Sequence, residues 1–320
     1  MSKLEKLREM TTIVIDTGDI DSIKKHHPTD ATTNPSLIAG AIQKPEYQNL
    51  IKDAVDYSKK KAKTPSERTP LLIDKLFVNV GAEILKIIPG RVSTEVDSRL
   101  SFDVEGSIKK AQTLIALYEE MGVSRERILI KLASTWEGGV AAKELEKMGI
   151  HCNMTLLFNL AQGIHCAQSQ ATLVSPFVGR ILDWFKEHEK VEKYAPADDP
   201  GVKSVTQIFN YFKKFDYKTQ IMGASFRNKE QILELAGCDL LTISPQFLEE
   251  LNQAEGDVPR KLDANKSKQM DIQKINMDEK LFRLMLNDDQ MATEKLREGI
   301  HNFTKAIIQL EQKLGEARIG

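Results

Sequence analysis

The sequence predicts an α/β fold, and within that class a (β/α)8 (TIM) barrel, on three observations. Eight short β-rich runs punctuate the chain between residues 11 and 244. Amphipathic helical patterns separate them, and several of these stop at a glycine, the common residue just past a helix. Neither a GxGxxG turn nor a GxxxxGK[ST] loop occurs, which weakens the rival open, doubly wound sheet. Strand then helix, eight times over, argues for parallel pairing through right-handed crossovers, and eight such units close naturally into a barrel.

The elements follow in order. TTIVIDT (11–17) and PTDATTN (28–34) are the first two strands. Residues 35–90 then exceed a minimal barrel and hold at least two helices, one of them LIDKLFVNVGAEILKII, which breaks at Pro89-Gly90. Within that insertion KKKAKTPSERTP (59–70) reads as an exposed loop. RVSTEVD (91–97), RILIKLAS (127–134), HCNMTLLF (151–158), ATLVSPF (171–177), TQIMGAS (219–225) and DLLTIS (239–244) complete the strands. Helical patterns at 107–122, 135–149 and 226–237 end at Gly122, Gly149 and Gly237. From about Asn287 a long C-terminal helix carries Leu296, Ile300, Phe303, Ile307, Leu310 and Leu314 at alternating spacings of four and three. That single apolar stripe is expected to pack across the outer wall of the barrel, with part of it available for a subunit contact. Residues 1–320 read as one domain.

Composition narrows the function. The 320 residues are 41% hydrophobic and 28% charged, with 45 basic against 46 acidic side chains. A net charge of -1 gives no electrostatic case for nucleic acid or an anionic membrane. Cys152, Cys166 and Cys238 are too few and too scattered for a disulfide framework and fit a reducing, cytoplasmic compartment. MSKLEKLREMTT lacks the apolar core of a signal peptide, and no apolar run approaches the roughly 20 residues of a membrane span.

Catalytic groups of such a barrel sit on inward side chains at the C-terminal strand ends. Those ends are unusually polar here. Asp16 ends the first strand, Thr32 and Asn34 lie at the end of the second, and Glu95 is at the end of the third. Lys131 interrupts the apolar fourth strand, Asn153 and Thr155 lie in the fifth, and Ser175 is in the sixth. A strand-end lysine on its own would snorkel to solvent. Together with Asp16, Glu95, Asn34 and Thr155 around one mouth, Lys131 reads instead as a nucleophile. Desolvation favours the free amine of a buried lysine, and a free amine attacks carbonyls to form a Schiff base. The chemistry that follows needs an acid to dehydrate the carbinolamine and a base for a departing hydroxyl proton, roles for two carboxylates. Arg180 in SPFVGR and Ser225 with Arg227 in SFRNKE stand at adjacent strand ends and helix starts, a natural phosphate site. The HC dipeptides at 151–152 and 165–166 match no zinc spacing and read as core, as do Trp136 and Trp184.

IDTGDI (15–20), DATTNPSL (30–37), STEVDSRLSFD (93–103), IKLASTWEG (130–138), CNMTLLF (152–158), SPFVGRILDW (175–184) and MGASFRN (222–228) resemble the transaldolase family over essentially the full chain. The resemblance implies a Schiff base between Lys131 and fructose 6-phosphate or sedoheptulose 7-phosphate. It implies Asp16 as the acid/base of carbon–carbon cleavage, and Glu95 acting through a water held with Thr155. Asn34 and Asn153 would hydrogen-bond the dihydroxyacetone part near Thr32 and Ser175. Phe177 would line the pocket, and Arg180, Ser225 and Arg227 would hold the phosphate. It further implies transfer of the three-carbon unit to glyceraldehyde 3-phosphate or erythrose 4-phosphate, a homodimer, and no metal or other cofactor.

Overall fold

The computed structural model describes residues 1–316, and all eight anticipated strands form in it. They are β1 (Thr12–Asp16), β2 (Asp30–Thr32), β3 (Val92–Glu95), β4 (Ile128–Ala133), β5 (Cys152–Leu157), β6 (Leu173–Pro176), β7 (Gln220–Gly223) and β8 (Leu240–Ile243). Every neighbouring pair is parallel, and β8 pairs back onto β1 to close the barrel. Each strand is a residue or two shorter at its ends than its β-rich run, because the terminal residues turn into caps. Asn34, Thr135, Asn159 and Asn228 are the N-caps of the helices that follow β2, β4, β5 and β7, each accepting a backbone N–H through its side chain.

The barrel interior is layered. Val14, Leu129, Leu173, Met222 and Leu240 form a small apolar cluster inside it. Side chains of a strand alternate between faces, so two residues further along each strand points inward again, one layer higher. Those positions are Asp16, Lys131, Ser175, Ala224 and Thr242. The floor is hydrocarbon and the layer above it is mostly polar. The main core lies outside the barrel wall, between strands and helices.

Two expectations about the extra segments change. Most of KKKAKTPSERTP is helical: one helix runs to Lys61, and the next, Pro65–Leu85, starts with a proline at its first position. A proline there lacks only an N–H that the helix start could not use, so it initiates rather than breaks. The C-terminal helix, Gln290–Glu316, lies on the outer wall only in part, where Leu310 and Leu314 join the main core. It crosses the C-terminal end of the barrel, where Leu296 and Phe303 join Leu156, Phe158, Phe177 and Ile181 in one buried cluster.

Candidate active site

Lys131 is 4% exposed, with its Nζ 3.2 Å from Glu95 Oε2 and donating to the Thr33 carbonyl at 3.1 Å. Strand register makes that ion pair unavoidable, since Glu95 on β3 is the direct partner of Lys131 on β4. Its alignment is imperfect, and Oε2, like the buried Thr155 Oγ1, has no hydrogen-bond partner among the described residues. Burial pushes the Glu95 carboxyl above its ordinary range, against the pull of the Lys131 charge and with help from the Asp16 charge.

Asp16 is recessed in the same mouth. Thr32 Oγ1 donates to Asp16 Oδ1 at 2.8 Å, and the Thr242 hydroxyl lies 2.7 Å behind Thr32. Here too burial raises the carboxyl, while Lys131, the Thr32 hydroxyl and Arg180 oppose it. Both carboxyls are thus held where burial disfavours their ionised form and the Lys131 charge opposes that effect.

The amides form the side wall. Asn153 Nδ2 donates to Ser93 Oγ at 3.0 Å, and its Oδ1 accepts from Ser175 Oγ at 2.6 Å, fixing its orientation from both sides. Asn34 Oδ1 caps the Pro35–Ala41 helix through Leu37 N at 2.9 Å. That bond leaves the Asn34 amide N–H2 facing the mouth.

The arginines separate into two situations. The Arg180 guanidinium lies over the Phe177 ring, 5.0 Å from its centroid, and over the Phe303 ring, at 5.7 Å. Its Nη1 is buried and unpartnered among the described residues, and desolvation lowers its pKa. Arg227 stays on the rim, where Asp183 takes its Nε at 3.0 Å and Nη2 at 2.7 Å, so that its Nη1 alone reaches towards Ser225 Oγ, at 3.4 Å. Helix N-termini, expected to add backbone donors, are largely spent: Val178 and Gly179 N–H groups donate to the carbonyls of Ala224 and Ser225. An anion here would rely on side chains.

Asp16, Thr32, Asn34, Lys131, Ser175, Phe177, Arg180 and Ser225 line one enclosed cavity. Glu95, Asn153 and Thr155 are buried in its walls. Four lining residues escaped the sequence reading: Met222, Ala224, Thr242 and Phe303. Thr242 was findable, as the polar residue two places beyond a floor residue of β8. Phe303 carried no such signal, since its spacing is that of an ordinary apolar stripe. The cavity measures about 70 Å³, much smaller than the roughly 520 Å³ groove near Leu160, Tyr211 and Leu262 on the helical exterior. The smaller one gathers the candidate site residues. The remaining motifs are structural: His165 stacks on Trp136 at 4.0 Å, Trp184 stacks on His188, and the three cysteines are buried and unpaired. No cluster of three or more His, Cys, Asp or Glu side chains that could hold a metal ion occurs among the described residues. Nor is any described helix long and apolar enough to cross a membrane.

A closed parallel barrel with a buried lysine, two recessed carboxylates and a guanidinium whose Nη1 has no hydrogen-bond partner among the described residues at its C-terminal mouth has the layout of a (β/α)8 enzyme. The family described as transaldolase/fructose-6-phosphate aldolase matches residues 13–314. A transaldolase of Protochlamydia amoebophila is 72% identical over 313 residues, covering 98% of this chain and 97% of that one. One from Methylococcus capsulatus is 56% identical, covering 99% and 98%, and the human transaldolase is 55% identical, covering 98% and 94%. The chain belongs to the transaldolase family and is an enzyme of the transferase class.

Proposed function

We propose that this enzyme moves a dihydroxyacetone unit from sedoheptulose 7-phosphate or fructose 6-phosphate to glyceraldehyde 3-phosphate or erythrose 4-phosphate, through an imine on Lys131. The observation that carries this reading is the Lys131 amine, buried between the Glu95 carboxylate and the Thr33 carbonyl and open to the cavity that Asp16 lines. In the free-base form Lys131 adds to the ketose carbonyl. The carbinolamine then loses its oxygen as water, leaving a protonated imine. Glu95 supplies and removes those protons through a water shared with Thr155, a role in keeping with a buried Thr155 Oγ1 that has no hydrogen-bond partner among the described residues and a Glu95 Oε2 met by Lys131 Nζ alone.

Asp16, ionised, takes the proton from the hydroxyl beside the bond to be cleaved. The carbon–carbon electron pair flows into the imine, and the aldehyde departs. What remains on Lys131 is the enamine of dihydroxyacetone, held by Asn34 and Asn153 with Thr32 and Ser175 behind them. An acceptor aldehyde then takes the enamine carbon, Asp16 returns its proton to the new hydroxyl, and hydrolysis of the imine frees the product. The protonated imine is the electron sink, the task a cation performs in metal-dependent aldolases, so the sequence of steps calls for no metal. Arg180, Ser225 and Arg227 take the phosphate, and Phe177 shapes the wall between phosphate and imine.

The setting we infer is the cytoplasmic pentose phosphate pathway, with the chain acting as one domain within a homodimer. Most of the C-terminal stripe is spent inside the chain, so the subunit contact would use other surface, such as the exposed Leu284 and Ile308. Acceptor dependence tests the reading. With fructose 6-phosphate alone, glyceraldehyde 3-phosphate should appear for a single turnover and then stop until erythrose 4-phosphate is added. Sustained release without acceptor would reassign the enzyme as a hydrolytic aldolase.

A further inference from the structure

The C-terminal helix brings to the mouth a residue whose ring faces two cations at once. Phe303 is 3% exposed, its centroid 5.8 Å from Lys131 Nζ and 5.7 Å from the Arg180 guanidinium carbon. Phe177 approaches the same guanidinium, its centroid 5.0 Å away, so two rings pack against Arg180. The helix seats closely to do this. Gly299, one turn before Phe303, lies over Leu156, and a Cβ there would come within 2.5 Å of Leu156 Cδ2. Leu156 itself adopts a left-handed backbone, φ 54°, where the β5–β6 register breaks between Met154 and Leu157. With the helix seated, the cavity of about 70 Å³ has room for about five waters at ~10–15 Å³ each.

We propose that Phe303 is a positioning residue that decides whether the three-carbon adduct is transferred or lost to water. The inference rests on the imine reading above. The adduct's loss needs two solvent steps. The enamine carbon first takes a proton, which regenerates the protonated imine. Water then adds to the carbon of that imine, the carbon–nitrogen bond breaks, and dihydroxyacetone leaves while Lys131 keeps the proton as an ammonium. Transfer needs neither step before the acceptor arrives. A ring packed over the amine limits solvent at the adduct, and the same ring holds Arg180 where an acceptor's phosphate would dock. One side chain therefore slows the loss and favours the capture.

The test compares Phe303→Leu with Leu310→Ala, a packing loss on the same helix that belongs to the main core and not to the cavity. Free dihydroxyacetone released from fructose 6-phosphate alone is measured against transfer to erythrose 4-phosphate, which yields sedoheptulose 7-phosphate. For Phe303→Leu the ratio of loss to transfer should rise about tenfold or more, and the KM for erythrose 4-phosphate should rise with it. Leu310→Ala should leave both near the parent values even where it lowers the melting temperature. An unchanged ratio in Phe303→Leu, or an equal rise in both variants, would overturn the proposal. Borohydride trapping on the parent enzyme separates the two layers. A parent without a Lys131 adduct removes the imine reading itself, whereas a trapped adduct with an unchanged ratio removes the role of Phe303 alone.

Discussion

The two ends of the barrel are built to opposite specifications. At the N-terminal end, charged side chains meet their partners. Asp30, the first residue of β2, accepts Arg91 Nε at 3.1 Å, Nη2 at 3.0 Å and the Arg91 backbone N–H at 2.8 Å. Arg127 donates to the carbonyls of Gly90, Leu85 and Ile88. Asp239 takes Lys213 Nζ and the Ile221 N–H, and Glu146 Oε1 takes the N–H groups of Cys152 and Thr172. The C-terminal end, by contrast, leaves Thr155 Oγ1 and Arg180 Nη1 buried without hydrogen-bond partners among the described residues, and it holds Leu156 and Ser225 in left-handed backbone. Such departures cost on the order of 1–3 kcal/mol each and persist where something else determines them. The lesson is a division of labour: one end stabilises the closed sheet, and the other keeps hydrogen-bonding capacity for a ligand.

Substitutions at the two ends should therefore fail in different assays. The largest effect is expected from Asp16→Asn, which should lower kcat by on the order of 10²–10⁴-fold, the usual range for losing a general base. Its melting temperature should hardly move, and borohydride should trap the uncleaved ketose. A variant with normal turnover would remove Asp16 from the mechanism. Asp30→Ala reverses the pattern. It should cost about 2–3 kcal/mol by denaturant titration, since it removes three hydrogen bonds from Arg91 and leaves its guanidinium only the Gln220 Oε1 partner, while kcat/KM stays at the parent value. A loss of activity in the folded variant would show that the two ends are not separable.

Acidity offers a finer probe. Asp16 works ionised, and its burial raises its pKa, so activity should rise with pH through a limb above the ordinary carboxylate range. The Thr32 hydroxyl stabilises the ionised form and pulls the other way. Thr32→Val should move the acidic limb of kcat/KM to higher pH, and a shift to lower pH would contradict the assigned hydrogen bond. The smallest effect belongs to the rim. Asp183→Asn frees a partly exposed Arg227, and the KM of a phosphorylated ketose should change by no more than about fivefold, the range of an exposed ion pair. A change a hundred times larger would place Asp183 in the phosphate site itself.

Much of this was legible in the sequence because the site breaks local rules. A lysine inside ILIKLAS and acids at the ends of TTIVID and VSTE contradict the hydrophobic pattern around them, and such contradictions mark function. Period-two alternation then places them on one inward face. Phe303 was illegible for the opposite reason: it obeys its local rule, and an aromatic residue in a helical stripe looks the same over a wall or over a mouth. The helix was accordingly expected on the outer wall, when its stripe also fits the hydrocarbon rim at Leu156, Phe158 and Phe177. The Asp183–Arg227 pair was hidden too, because the partners lie 44 residues apart and meet only through the fold. The lysine-rich stretch at 59–61 was taken for loop on composition alone, although helix ends tolerate lysines well.

The central claim is that the Lys131 amine is the nucleophile, and covalent trapping tests it most directly. The enzyme would be treated with fructose 6-phosphate and borohydride without acceptor, then digested and mapped by mass spectrometry. The account predicts one modified peptide, carrying a reduced dihydroxyacetone unit on Lys131. An active enzyme that leaves Lys131 unmodified, or carries the adduct on another lysine, would contradict it.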